Sequence, residues 1–352
     1  MNLKKHIVLA MPSHSNFCSP MIENLKFHGY SVTFIDASPE HLKKMRLSFI
    51  DKCIHFIRKA LFKNSDYKEL KKTWLKEDYI SKMIDQIPLL TDHDHILVIR
   101  PDLFSQDRLQ QLRQKSEHNY VGYQWNGLDR FPDTVARIGL FDRFFVFDHS
   151  DLNNPKFDTL NLIGITNFSF DMHQPTSTHH KGQRAYFVGL HFDERVETLT
   201  QCADILSKLG IQLDFNIRIL KNIETSRKKY DDAQIKIIKK NIDFSKNIEH
   251  IYQASILVDI LNPIHQGLSF RTFEALYYQK KLITSNANIK NYDFYHPDNI
   301  FIWETNNLPQ LKDFLARPYT QIDQNIVEKY CFHNWLKNIL DIAPYQKIVL
   351  PD

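Results

Sequence analysis

The chain has 352 residues, of which 43% are hydrophobic and 24% charged, and it carries a formal charge of +4. That length exceeds the usual single domain and supplies apolar material for two cores, so a disordered chain is excluded. Four scattered cysteines without a CxxC pair (Cys18, Cys53, Cys202 and Cys331) argue against a disulfide framework or a zinc site and fit a reducing compartment.

Lys4 and Lys5 precede a short apolar run ending at Met11-Pro12. The run is too short for a signal peptide and reads as a first buried strand, His6–Met11. A helix over Pro20–His28, closed by Gly29, and a strand over Tyr30–Ile35 follow. Next comes a helical insertion within 40–88, in two pieces at Glu40–Lys63 and Tyr67–Gln86. Leu42, Met45, Phe49, Cys53, Phe56, Ile57, Ala60 and Leu61 repeat there at three–four spacing. Between His41 and Lys76 eleven Lys/Arg face three acids, a local excess of +8 that leaves the remainder of the chain near −4. The basic character belongs to one segment.

Strands are predicted at His95–Ile99, Tyr120–Gln124, Arg143–Phe147 and Thr159–Ile163, with a helix at Gln106–Gln114. The polar stretch Asp171–Gln183 reads as a linker. The alternation then restarts with strand Arg184–Val188, helix Glu194–Leu209, strand Leu213–Leu220 and helix Ser226–Lys240. Strand Ile256–Ile260, helix Ser269–Tyr278, strands Lys281–Thr284 and Ile300–Trp303 and helix Leu308–Leu315 complete the second half. A final helix covers Asp323–Leu340. Continuous apolar strands separated by helices predict parallel sheets covered on both faces, in two Rossmann-like α/β/α domains at 1–172 and 183–320. Residues 321–352 form a closing helix and tail. No apolar run approaches the roughly 18 residues of a membrane span.

In open parallel sheets ligands bind beyond the carboxyl ends of the strands and at helix N-termini. The single DxD, Asp92-His93-Asp94, precedes a strand and so reads as a solvated turn. His179-His180 lies in the linker. No metal and no cofactor is therefore expected, and the Asn167-Phe168-Ser169 sequon reads as a chance match. The chain contains neither GxxxxGK[ST] nor GxGxxG, which speaks against a P-loop enzyme or a dinucleotide oxidoreductase.

The richest segment runs from Asp259 through Gln266, Gly267 and Leu268 into a helix whose first turn carries Ser269, Arg271 and Thr272, with Glu274 beyond. Backbone N–H groups, the helix dipole and Arg271 together suit a diphosphate, and Glu274 suits two ribose hydroxyls.

The runs GLSFRTFEALYYQKKLITSN and IKNYDFYHPDNIFIW resemble bacterial capsular and lipopolysaccharide glycosyltransferases of the GT-B type, including CgeB-like and core-biosynthesis proteins. Tyr186-Phe-Val-Gly-Leu-His191 with Arg195, and Phe141-Asp-Arg-Phe-Phe-Val-Phe-Asp148, are similar to the same group. The resemblance implies two domains facing across a cleft, a C-terminal helix crossing back to the first, and the nucleotide-sugar on the second. It places Glu274 on the ribose, and Arg271 with the amides of Gly267–Thr272 on phosphate or sugar. His191 and Arg195 stand where related enzymes put a diphosphate-binding cation.

The first domain would then take the acceptor, through Arg100 and Asp102, Trp125 and Asn126, and the Asp148-His149 end. For an inverting reaction His14 and Asp129 are the candidate bases. Relatives place an aspartate near Trp125 where this chain has Asn126, so the base stays unassigned. For a retaining reaction, stabilisation of the leaving diphosphate carries the rate.

The function implied is metal-independent transfer of a sugar to a surface glycan acceptor (capsule, lipopolysaccharide or lipooligosaccharide). The enzyme would be cytoplasmic, or peripheral on the inner face of the inner membrane through the basic segment 41–76. The alternatives are a sugar-nucleotide epimerase on the same fold and a non-catalytic sugar- or nucleic-acid-binding protein. Nucleic acid is not expected as a partner, because the charge is confined to one insertion and no binding motif accompanies it.

Overall fold

A computed structural model describes residues 5–13, 17–39, 48–63, 66–174, 183–231, 233–261 and 266–351. His14, Lys43, Lys44, Arg46, His179-His180 and residues 262–265 lie outside the described residues. Contacts divide the chain into two units, Met1–Phe145 with Thr159–Ile163 and Val146–Asp158 with Gly164–Asp352.

The first unit is organised by a sheet of β1 (His6–Met11), β2 (Ser31–Asp36), β3 (His95–Ile99), β4 (Tyr120–Gln124), β5 (Arg143–Val146) and β6 (Leu162–Gly164). Its order is β2-β1-β3-β4-β5-β6. β1 pairs parallel to β2 and β3, and β3 to β4, with Ile7 opposite both Val32 and His95. Ile7 to Met11 and Ile96 to Ile99 have no exposed surface, as strands covered on both faces require. Val8, Ala10, Ile35, Ile96 and Val98 pack with Ile80, Ile84, Leu109 and Leu112 from the helices Tyr67–Asp85 and Gln106–Arg113.

The second unit repeats the plan with β7 (Arg184–Leu190), β8 (Gln212–Arg218), β9 (Ile235–Ile238), β10 (Ile256–Asp259), β11 (Lys281–Thr284) and β12 (Ile300–Ile302), in the order β12-β11-β10-β7-β8-β9. All five pairings are parallel. Ala185, Phe187, Phe215, Ile217, Ile256 and Val258 meet Leu199, Cys202 and Leu206 of the helix Asp193–Lys208 in its core.

Each sheet reverses its winding once. Strand order changes direction between β1 and β3 in the first unit and between β7 and β10 in the second. Beyond the carboxyl ends of such a pair, the two chain directions diverge and open a crevice.

Three expectations need correction. The helix predicted over Ser226–Lys240 is a short helix, Ile223–Lys228, followed by β9. Ile235, Ile237 and Ile238 are β-branched and pair with β8, which overrides the helical spacing. The helix predicted over Asp323–Leu340 breaks into Gln324–Lys329 and Phe332–Leu340. Extended Cys331 forms a bridge with Ser169 there, and Trp335 Nε1 donates to the Thr166 carbonyl at 2.9 Å. The helix Phe244–Gln253 was not anticipated, although Phe244, Ile248 and Ile251 recur at helical spacing.

Candidate functional site

The second unit concentrates its polar side chains at the β7/β10 reversal. The helices Phe244–Gln253 and Phe270–Tyr277 follow β9 and β10, so both start at the carboxyl edge of the sheet. Ser269 caps the second of these, accepting from the Arg271 amide at 3.1 Å and donating to Asp259 Oδ2 at 2.8 Å. The strand end and the helix start are thereby locked together.

Arg271 in the first turn and Glu274 one turn on form an ion pair at 2.8 Å, with side chains only 11% and 10% exposed. Asn247 ties the pair down: its Nδ2 donates to Glu274 Oε1 at 3.1 Å, and its Oδ1 accepts from Arg271 Nη2 and from the Tyr186 hydroxyl at 2.9 Å. The guanidinium lies 4.8 Å from the centre of the Tyr186 ring, whose other contact is a stacked His250 at 5.0 Å. Burial pushes the Glu274 carboxyl above the usual glutamate range, against the pull of Arg271 and Asn247 and with the help of Asp259. Arg271 Nη1 is buried without a well-aligned hydrogen-bond acceptor among the described residues. An arginine–glutamate pair and its hydrogen-bond partners are thus preassembled in a low-dielectric setting, where charges interact strongly.

Arg195, in the first turn after β7, reaches across the reversal. Its Nη1 donates to the Ile260 carbonyl at 3.2 Å beyond β10, and its Nη2 to the Leu190 carbonyl at the end of β7. The guanidinium rests on Phe192 at 5.0 Å, and burial lowers its pKa although Asp259 opposes this. His191 is held at both ring nitrogens, Nδ1 by the Tyr230 hydroxyl at 2.8 Å and Nε2 by Asp193 at 2.9 Å.

The loop entering the helix is fixed by side chains from three separate segments. Asp148, 1% exposed, accepts from the Gln266 amide at 2.8 Å. Asn286 donates to the Gln266 carbonyl at 2.8 Å, and Asn167 to the Leu268 carbonyl at 2.9 Å. Gly267 is required by close approach: a Cβ there would stand 2.6 Å from the Phe147 ring and 2.7 Å from its carbonyl oxygen. Among the amides of Gly267–Thr272 assigned to phosphate, those of Arg271 and Thr272 already have protein acceptors, Arg271 the Ser269 hydroxyl and Thr272 the Ser269 carbonyl. The Thr272 side chain is buried in a small cavity beside Phe294 and Tyr319.

No protein-family model matches the chain, and no curated protein matches it. Solved structures do. An alpha-glucosyltransferase in complex with UDP superposes with a TM-score of 0.53 at 11% identity, over 96% of this chain and 93% of that one. WaaB, a lipopolysaccharide outer core galactosyltransferase in its apo form, gives 0.50 at 14% identity, over 96% and 99%. A candidate UDP-N-acetylglucosamine 2-epimerase from Listeria monocytogenes gives 0.50 at 11% identity, over 99% and 100%. The fold is GT-B.

In the first unit the residues assigned to the acceptor stand at the carboxyl edge. Arg100, directly after β3, adopts φ 64° and pairs with Asp102 through two bonds of 2.7 and 2.6 Å. It also lies 4.5 Å from the centre of the Phe131 ring. A left-handed arginine is held by such contacts against local strain. Trp125 and Asn126 are half-buried after β4, Phe17 approaches the Trp125 ring at 5.9 Å, and Asp129 is exposed. His14 lies outside the described residues, so of the two candidate bases only Asp129 has a described position.

Asp94 is consumed by a turn, accepting from Thr91 and from the His6 amide at 3.2 Å. No cluster of three or more metal-ligating side chains occurs among the described residues. Asn167 and Ser169 of the sequon are buried.

Sequence reasoning missed Tyr186 as a platform, Asn247 as the link, and the anchoring roles of Asp148, Asn286 and Asn167. Asn247 was findable, since its helix carries an amphipathic period. The others act through contacts between distant segments, which leave no local signal.

Proposed function

We propose that the protein transfers a glycosyl group from a nucleotide-sugar to a glycan acceptor, and that the β7/β10 reversal holds the donor. The observation that carries this reading is the buried Arg271–Glu274 pair, bracketed by Tyr186 and Asn247, in the same unit as Arg195, which spans the reversal. Arg271 and Arg195 would neutralise the diphosphate and stabilise it as a leaving group. Glu274 would exchange part of its contact with Arg271 for the ribose hydroxyls, leaving the arginine to the phosphates. His191 would contribute at the rim.

The acceptor would be a surface glycan of the capsule or lipopolysaccharide type, engaged through Arg100, Asp102, Trp125 and Asn126 of the first unit, in a cytoplasmic enzyme. Transfer is proposed to need no metal, because two arginines and helix N-termini supply the charge a cation would provide. Asp129 and His14 remain the proposed bases for inversion.

The test is donor turnover with labelled UDP-, GDP-, CMP- and TDP-sugars, with and without acceptor glycans. Arg271→Ala and Glu274→Ala should raise the donor KM; unchanged donor kinetics in both would refute the site. A second, weaker reading is a sugar-nucleotide epimerase on the same fold, the activity named for the Listeria protein. Donor isomerised without any acceptor would establish it.

A further inference from the structure

A helical hairpin of the first unit turns its apolar side outward. The helix Phe49–Phe62 is capped by Ser48, which accepts from the Asp51 amide. Phe49, Phe56 and Leu61 are 81%, 71% and 74% exposed, and Ile50, Ile57 and Cys53 are exposed as well. At 3.6 residues per turn these side chains, with Ala60, share one arc of about 140°.

The half-buried residues Asp51, Ile54 and His55 lie on the opposite side. Asp51, the only acid between 49 and 63, accepts from the Tyr67 hydroxyl at 2.8 Å and lies 3.7 Å from Lys71 Nζ. Arg58 sits 5.3 Å from the centre of the Tyr67 ring. Ordinary surface helices do the reverse, burying the apolar stripe and exposing the charges. Lys52, Lys59 and Lys63 are exposed along one margin of the apolar arc. Leu70 and Trp74, one turn apart on the second helix, are exposed too, with Lys71 Nζ 4.9 Å from the Trp74 ring centre.

Charge decides the occupant. Four cations against one inward-turned acid in 49–63 would bring like charges together if a second copy docked on the same face. A bilayer with anionic headgroups satisfies both features at once, taking the apolar arc into the acyl boundary and the lysines at the phosphate level. We propose that Phe49–Lys63 lies in the headgroup plane of an anionic membrane, with Phe49, Phe56 and Leu61 inserted and Lys52, Lys59 and Lys63 at the phosphates. This surface is independent of the glycosyl-transfer reading, so its test reads partitioning rather than turnover.

The full-length protein is sedimented with phosphatidylglycerol/phosphatidylcholine vesicles and with phosphatidylcholine vesicles. Binding to the first, weak binding to the second and weakening by salt are expected. The partition coefficient on anionic vesicles should fall about tenfold or more for Phe49→Ser/Phe56→Ser/Leu61→Ser and for Lys52→Glu/Lys59→Glu/Lys63→Glu. Both variants should keep the native melting temperature, because the altered side chains are exposed. Absence of binding to anionic vesicles, or equal binding by the serine variant, would overturn the proposal. So would a native dimer in light scattering that the serine variant dissociates, which would assign the face to a second copy.

Discussion

The two units reverse their sheets in the same way and equip the reversals differently. In the second unit Arg195 spans the reversal and Ser269 ties β10 to its helix, while Asn247 and Tyr186 hold a buried ion pair. In the first unit Arg100 at the carboxyl edge pairs with Asp102 two residues on, in contact with Phe131 and more open to solvent than the Arg271–Glu274 pair. One reversal carries two arginines, one paired with a buried glutamate and the other near Asp259, in a rigid frame proposed to take a diphosphate. The other presents Trp125 and Asn126 at half-buried positions, proposed to take the acceptor. The same topology thus carries two different sets of side chains, and these, not the strands, set the polarity of each strand-end surface.

The contrast can be broken by mutation, and the largest effect should come from the buried pair. Glu274→Ala leaves Arg271 buried without its counter-charge and should cost about 3–5 kcal/mol, read as a drop in melting temperature. Arg100→Ala, at a pair more open to solvent, should cost clearly less; equal losses would remove the distinction between the two edges. Next comes Gly267→Ala, which forces a Cβ against Phe147 and should cost about 1–3 kcal/mol while raising the donor KM. Gly139→Ala is the control in the first unit, since nothing lies within 4 Å of its added Cβ. It should leave stability within about 0.5 kcal/mol.

A smaller effect concerns Gln124, the fully buried last residue of β4, whose amide nitrogen and oxygen have no hydrogen-bond partner among the described residues. Gln124→Met should be neutral or stabilising by about 1 kcal/mol in chemical denaturation. A clear loss would mean that the amide is engaged in solution.

The smallest effect is on pH dependence, where two carboxylates of the second unit act with opposite sign. Burial raises Glu274, so its folded state holds a proton more tightly than the unfolded chain, and stability falls as pH rises above the ordinary glutamate range. Burial would raise Asp214 too, but bonds from Asn216, His250 and Arg184 outweigh it and hold the carboxyl low. Its contribution is present above the ordinary aspartate range and is lost as pH falls through the lowered value. Glu274→Gln should flatten the first slope and Asp214→Asn the second, in thermal melts across pH 3–7, a range set about the usual carboxylate pKa values near 4.

Much of this was legible in the chain because the deciding information was local. Strands His6–Met11, His95–Ile99, Tyr120–Gln124 and Lys281–Thr284 are continuous apolar runs, and the structure places them at those bounds. The helix start at Ser269 was equally plain, since a capping residue after a glycine needs no distant partner to be recognised. What failed was non-local. β9 depends on pairing with β8, and the break at Cys331 on pairing with Ser169. The candidate site divides along the same line. Arg271, Glu274 and Arg195 stood out by type and position, whereas Tyr186, Asn247 and Asp148 acquire meaning only from what folds against them.

The central claim is that a nucleoside diphosphate binds the Arg271–Glu274 reversal, and calorimetric titration of UDP and GDP into the native protein and Arg271→Ala tests it most directly. The account predicts saturable binding of at least one nucleotide to the native protein, weakened about tenfold or more by the substitution. Equal affinity in the two proteins, with the variant shown to be folded, would contradict it.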